Sequence, residues 1–384
     1  MSNQDTQYDY EGPLHGISSV DDPRYSTITW YSLPEVFFLV LAASVSACNS
    51  AIQMATFGEE KLDWLRQYYP YKHGTPSHDT INRLLAIIDS DQFEKWFISW
   101  VADKFELKAS DLLAIDGKRL ASSANRMKQM KSRKDGGDYA KIVVNCFAVA
   151  SGIALGQAAV DSKSGESKGA VQLIDSLDVK GKCISGDANF CNFDLLELIT
   201  SRGADYLVAL KGRNGKLLTA AKDVFGDEHA DKDEYQTTET GHGREECRTY
   251  RLVNTAQLDD TITSSYSMLA SVVEVKRERR ETRKDVDFST EIHYYVTSLD
   301  KGLEEIATKI RQHWAVENSL HHVLDVTFDE DASRMRKGNA ATNLSLIRKV
   351  AMNYLMPGKS KAGIKKARMR AAFSDKRRSE LFRI

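Results

Sequence analysis

The stretch Leu112-Leu113-Ala114-Ile115-Asp116-Gly117-Lys118 decides the reading of this chain, because four apolar residues in a row end on a carboxylate. A short unbroken apolar run is the pattern of a strand buried on both faces. Similar runs follow at Lys141 to Ala150, Ile153 to Val160, Gly181 to Ser185 and Asp205 to Leu210. Gly152 turns the second run straight into the third, whereas helical patterns near 168–177 and 193–201 separate the later ones. Three strands, helix, strand, helix, strand predicts a mixed sheet of α/β class.

Two of the runs close on an acid: Asp116 after Ile115, and Asp187 after Cys183-Ile184-Ser185-Gly186. A third acid, Glu317, stands in His313-Trp314-Ala315-Val316-Glu317-Asn318, on one long predicted helix starting near Leu303. That helix carries Ile306, Ile310, Trp314, Leu320 and Leu324 with the pair His313 and His321. Desolvating an anion is costly, so a carboxylate directly after a buried strand calls for a compensating cation. Magnesium takes oxygen ligands and is usually held by one or two protein carboxylates plus water and substrate phosphate. Two such ions roughly 3.5–4 Å apart activate an attacking oxygen and stabilise a leaving one in phosphoryl transfer. Three acids assembled from distant sequence suffice for this, and the strand order is that of a ribonuclease-H-like core.

Each acid has a plainer reading. Asp116 can open a turn with Gly117, Asp187 can cap the helix after it, and Glu317 can be a salt-bridged helix residue beside Asp325, Glu330 and Asp331. Zinc is a further alternative, since His313, Glu317 and His321 share a helix face with His322 next to them. The tighter His-Glu-x-x-His pattern of metalloprotease helices is absent.

The 384 residues predict two or three domains, and the 28% charged and 42% hydrophobic fractions are ordinary for a soluble protein. Five scattered cysteines read as reduced thiols of a cytoplasmic protein. The apolar run Val36 to Cys48 is too short for a bilayer and predicts a core helix opened by Pro34, so no membrane span is expected. A net charge of −1 argues against a protein that coats nucleic acid. The charge is nonetheless unevenly distributed. Lys118, Arg119, Arg126, Lys128, Lys131, Arg133 and Lys134 follow the first acid, and residues 357–384 form a basic tail. Either patch suits phosphate contact or a plainly solvated surface.

The predicted organisation is an acidic arm over 1–29 and an all-α N-terminal domain over 30–107, of a size that often holds a helix-turn-helix. An α/β core follows over 108–211 and 301–356, split by a β-rich insertion over 212–300 with strands at Gly243 to Val253, Ser267 to Glu278 and Thr290 to Leu299. Ligands of α/β sheets bind at the strand ends of one edge. Lys118, Arg119 and Lys211, with Arg334 and Arg336 beyond the long helix, are therefore candidate phosphate contacts, which become DNA contacts under the resemblance given next.

In order along the chain come Gly74-Thr75-Pro76-Ser77-His78-Asp79-Thr80, Ala114-Ile115-Asp116-Gly117-Lys118, Gly186-Asp187-Ala188 and Leu210-Lys211-Gly212. They are followed by His242-Gly243-Arg244, Tyr295-Val296-Thr297-Ser298-Leu299, the Glu317 segment and Phe328-Asp329-Glu330-Asp331. Together these resemble bacterial insertion-sequence DDE transposases, closest to the branch of H-repeat-associated proteins. The resemblance implies a ribonuclease-H-like core whose Asp116, Asp187 and Glu317 bind two Mg2+ or Mn2+ ions. It further implies nicking of double-stranded DNA at element ends, 3′-OH strand transfer into a target, a homodimeric synaptic complex and a nucleoid-associated bacterial protein. The alternative is a catalytically silent, transposase-derived DNA-binding protein. The family signature Tyr-x2-Arg-x3-Glu-x6-Lys is not met, since Ile310, His313 and Leu324 occupy the flanking places. His313, one helical turn before Glu317, is the candidate replacement for the Arg as a DNA phosphate contact.

Overall fold

The structure, a computed structural model, describes residues 12–24, 29–108, 110–123, 140–160, 165–241, 243–281, 289–356 and 363–383. The basic positions Arg126, Lys128, Lys131, Arg133 and Lys134 lie outside them, as do residues 1–11 of the acidic arm.

The apolar runs form strands β1 (Leu112–Arg119), β2 (Ile142–Ala148), β3 (Ile153–Val160), β4 (Cys183–Gly186) and β5 (Asp205–Leu210). β1, β4 and β5 run parallel, and β2 and β3 are antiparallel to their neighbours. Gly152 makes the β2–β3 turn at φ +72°, where an added Cβ would lie 2.1 Å from the Met356 methyl group. Four more strands, β6 (Asp233–Gly241), β7 (Arg244–Asn254), β8 (Ser271–Glu281) and β9 (Ser289–Thr297), continue the same sheet, because β9 pairs antiparallel with β5. The result is one mixed nine-stranded sheet in the order β3-β2-β1-β4-β5-β9-β8-β7-β6. β6 is a strand that the sequence reading passes over. Its Asp-Glu-Tyr-Gln-Thr-Thr-Glu-Thr-Gly is polar throughout and largely exposed, as an edge strand permits.

The helices are α1 (Leu33–Val45), α2 (Ala51–Glu60), α3 (His78–Ile87), α4 (Ser90–Lys104), α5 (Glu166–Ser176), α6 (Phe193–Ser201), α7 (Gly215–Gly226), α8 (Leu303–His313), α9 (His322–Phe328), α10 (Ala340–Leu355), α11 (Gly363–Phe373) and α12 (Asp375–Leu381). α1 is opened by a capping box between Ser32 and Glu35 and is buried along its whole length. α10 is buried nearly all round and joins the N-terminal helices to the sheet. Its Asn343 amide donates to the carbonyls of Leu85 and Ile88, and its Asn353 exchanges two bonds with Ala154 on β3. Among the described residues, no helix is long and apolar enough to cross a membrane.

Three sequence expectations are corrected. The long helix from Leu303 is broken by a π-helical turn at Val316–His321, whose i→i+5 hydrogen bonds widen the turn and shift the phase of everything after it. Trp314, expected on the apolar stripe, caps α8 where the regular helix ends at His313 and is 50% exposed. Of the basic tail expected over 357–384, residues 363–383 do not form a solvated tail, since Arg368 and Arg378 on α11 and α12 are buried against the N-terminal helices. Part of the acidic arm is also packed. Leu14, Ile17 and Val20 are buried, and the Pro13 carbonyl accepts bonds from Trp100 and Tyr354.

Candidate active site

Strand register assembles the first two acids. β1 and β4 pair from Leu112 with Cys183 to Ile115 with Gly186, so Asp116 and Asp187 are the next residues of two adjacent parallel strands. On its other side Asp116 stands opposite Asn145 of β2. Side chains alternate along a strand, so Leu112, Ala114, Asp116 and Lys118 share one face. That face is the one covered by α8, because Leu112, Cys183 and Leu207 pack with Leu303, Ile306, Ala307 and Ile310. The chain leaving α8 therefore delivers Glu317 above Asp116.

Ligand atoms of Asp116, Glu317 and His321 come within 4.8 Å of one another. His321 Nδ1 lies 3.5 Å from Asp116 Oδ2 and 3.5 Å from Glu317 Oε2. Burial, then the charges of Glu317 and Asp187, push the Asp116 carboxyl up to about 8. Glu317 is held below the ordinary carboxylate range, first by its hydrogen bond with His321. Asp187 accepts the Asn189 backbone N–H at 2.8 Å, and the Asn189 amide donates to Glu166 at 3.1 Å. Several carboxylates facing one another at a buried strand end repel unless a cation neutralises them, so this donor set fits a divalent ion. Opposite ligands of one such ion stand about 4 Å apart, twice a ~2.1 Å bond, which the Asp116, Glu317 and His321 atoms can meet.

The surrounding groups brace the site. His313 Nδ1 is 2.9 Å from the Ser185 hydroxyl on β4, and burial pushes the ring down to about 4, so it is neutral at pH 7. In that place the imidazole ties α8 to β4 and offers no positive charge to a phosphate. Lys118 is buried, with its ammonium on Asp325, 3.0 Å from Glu330 and 3.4 Å from the His321 carbonyl. It is thus a tether between β1 and the helix after Glu317, not a surface cation. Of the zinc alternative's histidines, His321 joins the acids, His313 is engaged by Ser185, and His322 is exposed.

The other predicted basic residues stay at the surface. Lys211 is exposed directly after β5, at the same strand-end edge as the two aspartates. Arg119 ends β1 and is exposed. Arg334 and Arg336 are exposed in the loop between α9 and α10, and Arg334 lines a cleft with His78 and Asn82 of α3 and Ser50 at the start of α2. Sequence reasoning misses Asn145, Glu166, Asn189 and Ser185. Asn145 did carry a signal, as a lone amide in the apolar strand Ile142-Val143-Val144-Asn145-Cys146-Phe147.

Residues 108–354 match the family described as "Transposase DDE domain", and residues 14–101 match the family described as "DDE_Tnp_1-associated". The chain belongs to the DDE transposase family. Among its relatives, "Putative transposase YncI" of Escherichia coli O157:H7 is 34% identical over 94% of this chain and 92% of its own length. "H repeat-associated putative transposase YhhI" of Escherichia coli K12 is 35% identical over 94% of this chain and 94% of its own. The resemblance to H-repeat-associated DDE transposases drawn from the motifs is thus correct. A piggyBac transposase in a synaptic complex with hairpin DNA aligns with a TM-score of 0.46 and 10% identity, over 95% of this chain and 76% of that one. That likeness is too slight to bear on the fold.

Proposed function

We propose that this DDE transposase cuts double-stranded DNA at element ends and joins the freed 3′-OH to target DNA, using Asp116, Asp187 and Glu317 on a ribonuclease-H-like core to hold divalent ions. The observation that carries the reading is the register that makes Asp116 and Asp187 neighbours, with Glu317 brought to Asp116 from a distant helix. Bound there, Mg2+ or Mn2+ would supply charge neutralisation for the attacking and leaving oxygens of an in-line displacement. Water adds to the phosphorus as the P–O3′ bond breaks, and the released 3′-OH then attacks a target phosphodiester, whose own P–O3′ bond breaks to leave a target 3′-OH, so no covalent enzyme intermediate is needed. Lys118 and His313 fix the helix that presents Glu317, and Asn189 with Glu166 fixes the Asp187 carboxylate. Lys211, Arg119, Arg334 and Arg336 meet the DNA backbone, where each neutralised phosphate adds to the salt dependence of binding. Two ends must be brought together, so the working assembly is a homodimer. In this reading the strands of 212–300 are an insertion between β5 and the helix of Glu317 that extends the sheet of the core.

The test is cleavage of a supercoiled plasmid carrying the gene's own flanking DNA, with Mg2+ or Mn2+, for wild type beside Asp187→Ala. Cleavage at the flanks that vanishes in the variant supports the reading. Salt-sensitive binding to those flanks without cleavage in either protein overturns it in favour of a silent DNA-binding descendant.

A further inference from the structure

His321 is absent from the acidic triad, yet its ring is placed as a metal ligand is. It is 5% exposed and sits at i+4 from Glu317, inside the π-helical turn. Nδ1 faces Asp116 and Glu317 at 3.5 Å each. The other ring nitrogen, Nε2, lies 3.2 Å from the side-chain amide of Asn145. Asn145 is fully buried, and its Oδ1 has no hydrogen-bond partner among the described residues.

The Asn145 amide can hold the ring in the tautomer that metal ligation needs. A buried amide oxygen without a partner is unfavourable. The two ends of an asparagine amide are interchangeable in shape, and the hydrogen-bond network decides which is which. Turning the Asn145 amide over lets its Oδ1 accept a proton from Nε2–H, at the expense of a long 3.4 Å contact to the Val143 carbonyl. Metal ligation requires the ring to release the Nδ1 proton shared with Glu317 and to keep the one on Nε2. Nδ1 and one oxygen each of Asp116 and Glu317, all within 4.8 Å of one another, then offer three ligand atoms to one cation. Metal-bound histidines characteristically donate their remote N–H to an oxygen that fixes the ring, and Asn145 stands where such an oxygen is required.

We infer that His321 Nδ1 is a direct ligand of the ion held by Asp116 and Glu317, which makes this position a mixed oxygen and nitrogen site selective for Mn2+ over Mg2+. The inference rests on the proposed role of those two acids. Mg2+ is a hard ion that favours oxygen and keeps its waters, whereas an imidazole raises affinity for first-row transition metals. Asn145 is the positioning residue that holds the ring.

The test is Mn2+ binding to the full chain without DNA, followed by electron paramagnetic resonance. Pulsed spectra of wild type are recorded with natural-abundance and 15N-histidine-labelled protein, and affinities are measured for wild type, His321→Gln, Asp116→Asn and Glu317→Gln. The inference expects a directly bonded imidazole nitrogen coupling that changes on labelling. It also expects about ten-fold or greater loss of Mn2+ affinity in His321→Gln, with a smaller loss for competing Mg2+. The wild-type spectrum decides the matter even if the variant does not fold. Mn2+ bound in a manner sensitive to Asp116→Asn, but without nitrogen coupling, overturns the role of His321 and leaves the acids standing. Mn2+ binding unchanged in both acid variants overturns the metal site itself, and the inference with it.

Discussion

Lys118 Nζ lies 3.0 Å from Glu330 Oε2, with both side chains buried, so β1 is tied to the segment that follows the helix of Glu317. Removing one member of such a pair leaves the other charge buried and uncompensated, which typically costs about 3–5 kcal/mol. Lys118→Met is therefore expected to lower unfolding free energy by about 3 kcal/mol in urea titrations. The salt dependence of DNA binding by the folded fraction stays unchanged, because Lys118 meets no phosphate. Lys211→Ala is the converse, with stability kept and the slope of log K against log salt reduced by about one. A reduced slope for Lys118→Met would put that lysine back at the DNA surface.

Acid stability follows from the same cluster. Burial alone would raise the Glu330 carboxyl, yet Lys349, Lys118 and Arg348 around it bring it down to about 2. A carboxyl depressed on folding contributes stability that is complete above its unfolded value, near 4.5, and is lost as pH falls through its folded value. The shift corresponds to about 3 kcal/mol. Wild type should lose stability steeply between pH 4.5 and 2, whereas Glu330→Gln, less stable at neutral pH, should show a shallower fall over that window. Thermal melts at fixed ionic strength check the sign, and parallel curves for the two proteins would show that Glu330 carries no such contribution.

How far the site is legible in sequence depends on how local each cause is. β1 and β4 can be read because parallel strands buried on both faces are written as unbroken apolar runs, and Asp116 and Asp187 can be read because they end those runs. That the two are neighbours is a matter of register, which no local pattern contains. Glu317 is legible on its helix, but the end of the regular helix at His313 and the π turn beyond it are not, so Trp314 is exposed and Val316 buried against a regular helical phase. Lys118 reads as a phosphate ligand beside an acid, since the carboxylates that neutralise it, Asp325 and Glu330, are more than half the chain away. β6 escapes because an exposed edge strand needs no apolar alternation.

Gly117 tests how tightly the second acid is held. A Cβ there would come within 2.5 Å of Glu166 Oε1, the carboxylate whose other oxygen accepts the Asn189 amide beside Asp187. Gly117→Ala should displace Glu166, at an overpacking cost of about 1 kcal/mol, and lower cleavage about ten-fold through the loss of support for Asp187. Shortening the neighbour restores room, so Gly117→Ala with Glu166→Asp should recover part of the cleavage lost by the single variant. No recovery would mean that the close approach is not what limits the site.

The basic C-terminal residues divide by burial into two groups with opposite expected effects. Arg368 donates to the Ser44 carbonyl and to Asn49 Oδ1 at 2.8 Å each, and its guanidinium lies 4.1 Å from the Phe328 ring centroid, joining α1 to the end of α9. Lys365 and Lys366, one turn earlier on α11, are exposed. Arg368→Ala strips partners from buried acceptors and should cost about 3 kcal/mol, with no change in the salt slope of DNA binding. The double change Lys365→Ala, Lys366→Ala should leave stability within about 0.5 kcal/mol of wild type. If those lysines meet DNA, it should also weaken binding evenly across sequences, as phosphate contacts do. Urea unfolding and a salt titration of binding on all three proteins separate the two roles. An Arg368→Ala protein as stable as wild type would show that the buried guanidinium does not hold α11 in place.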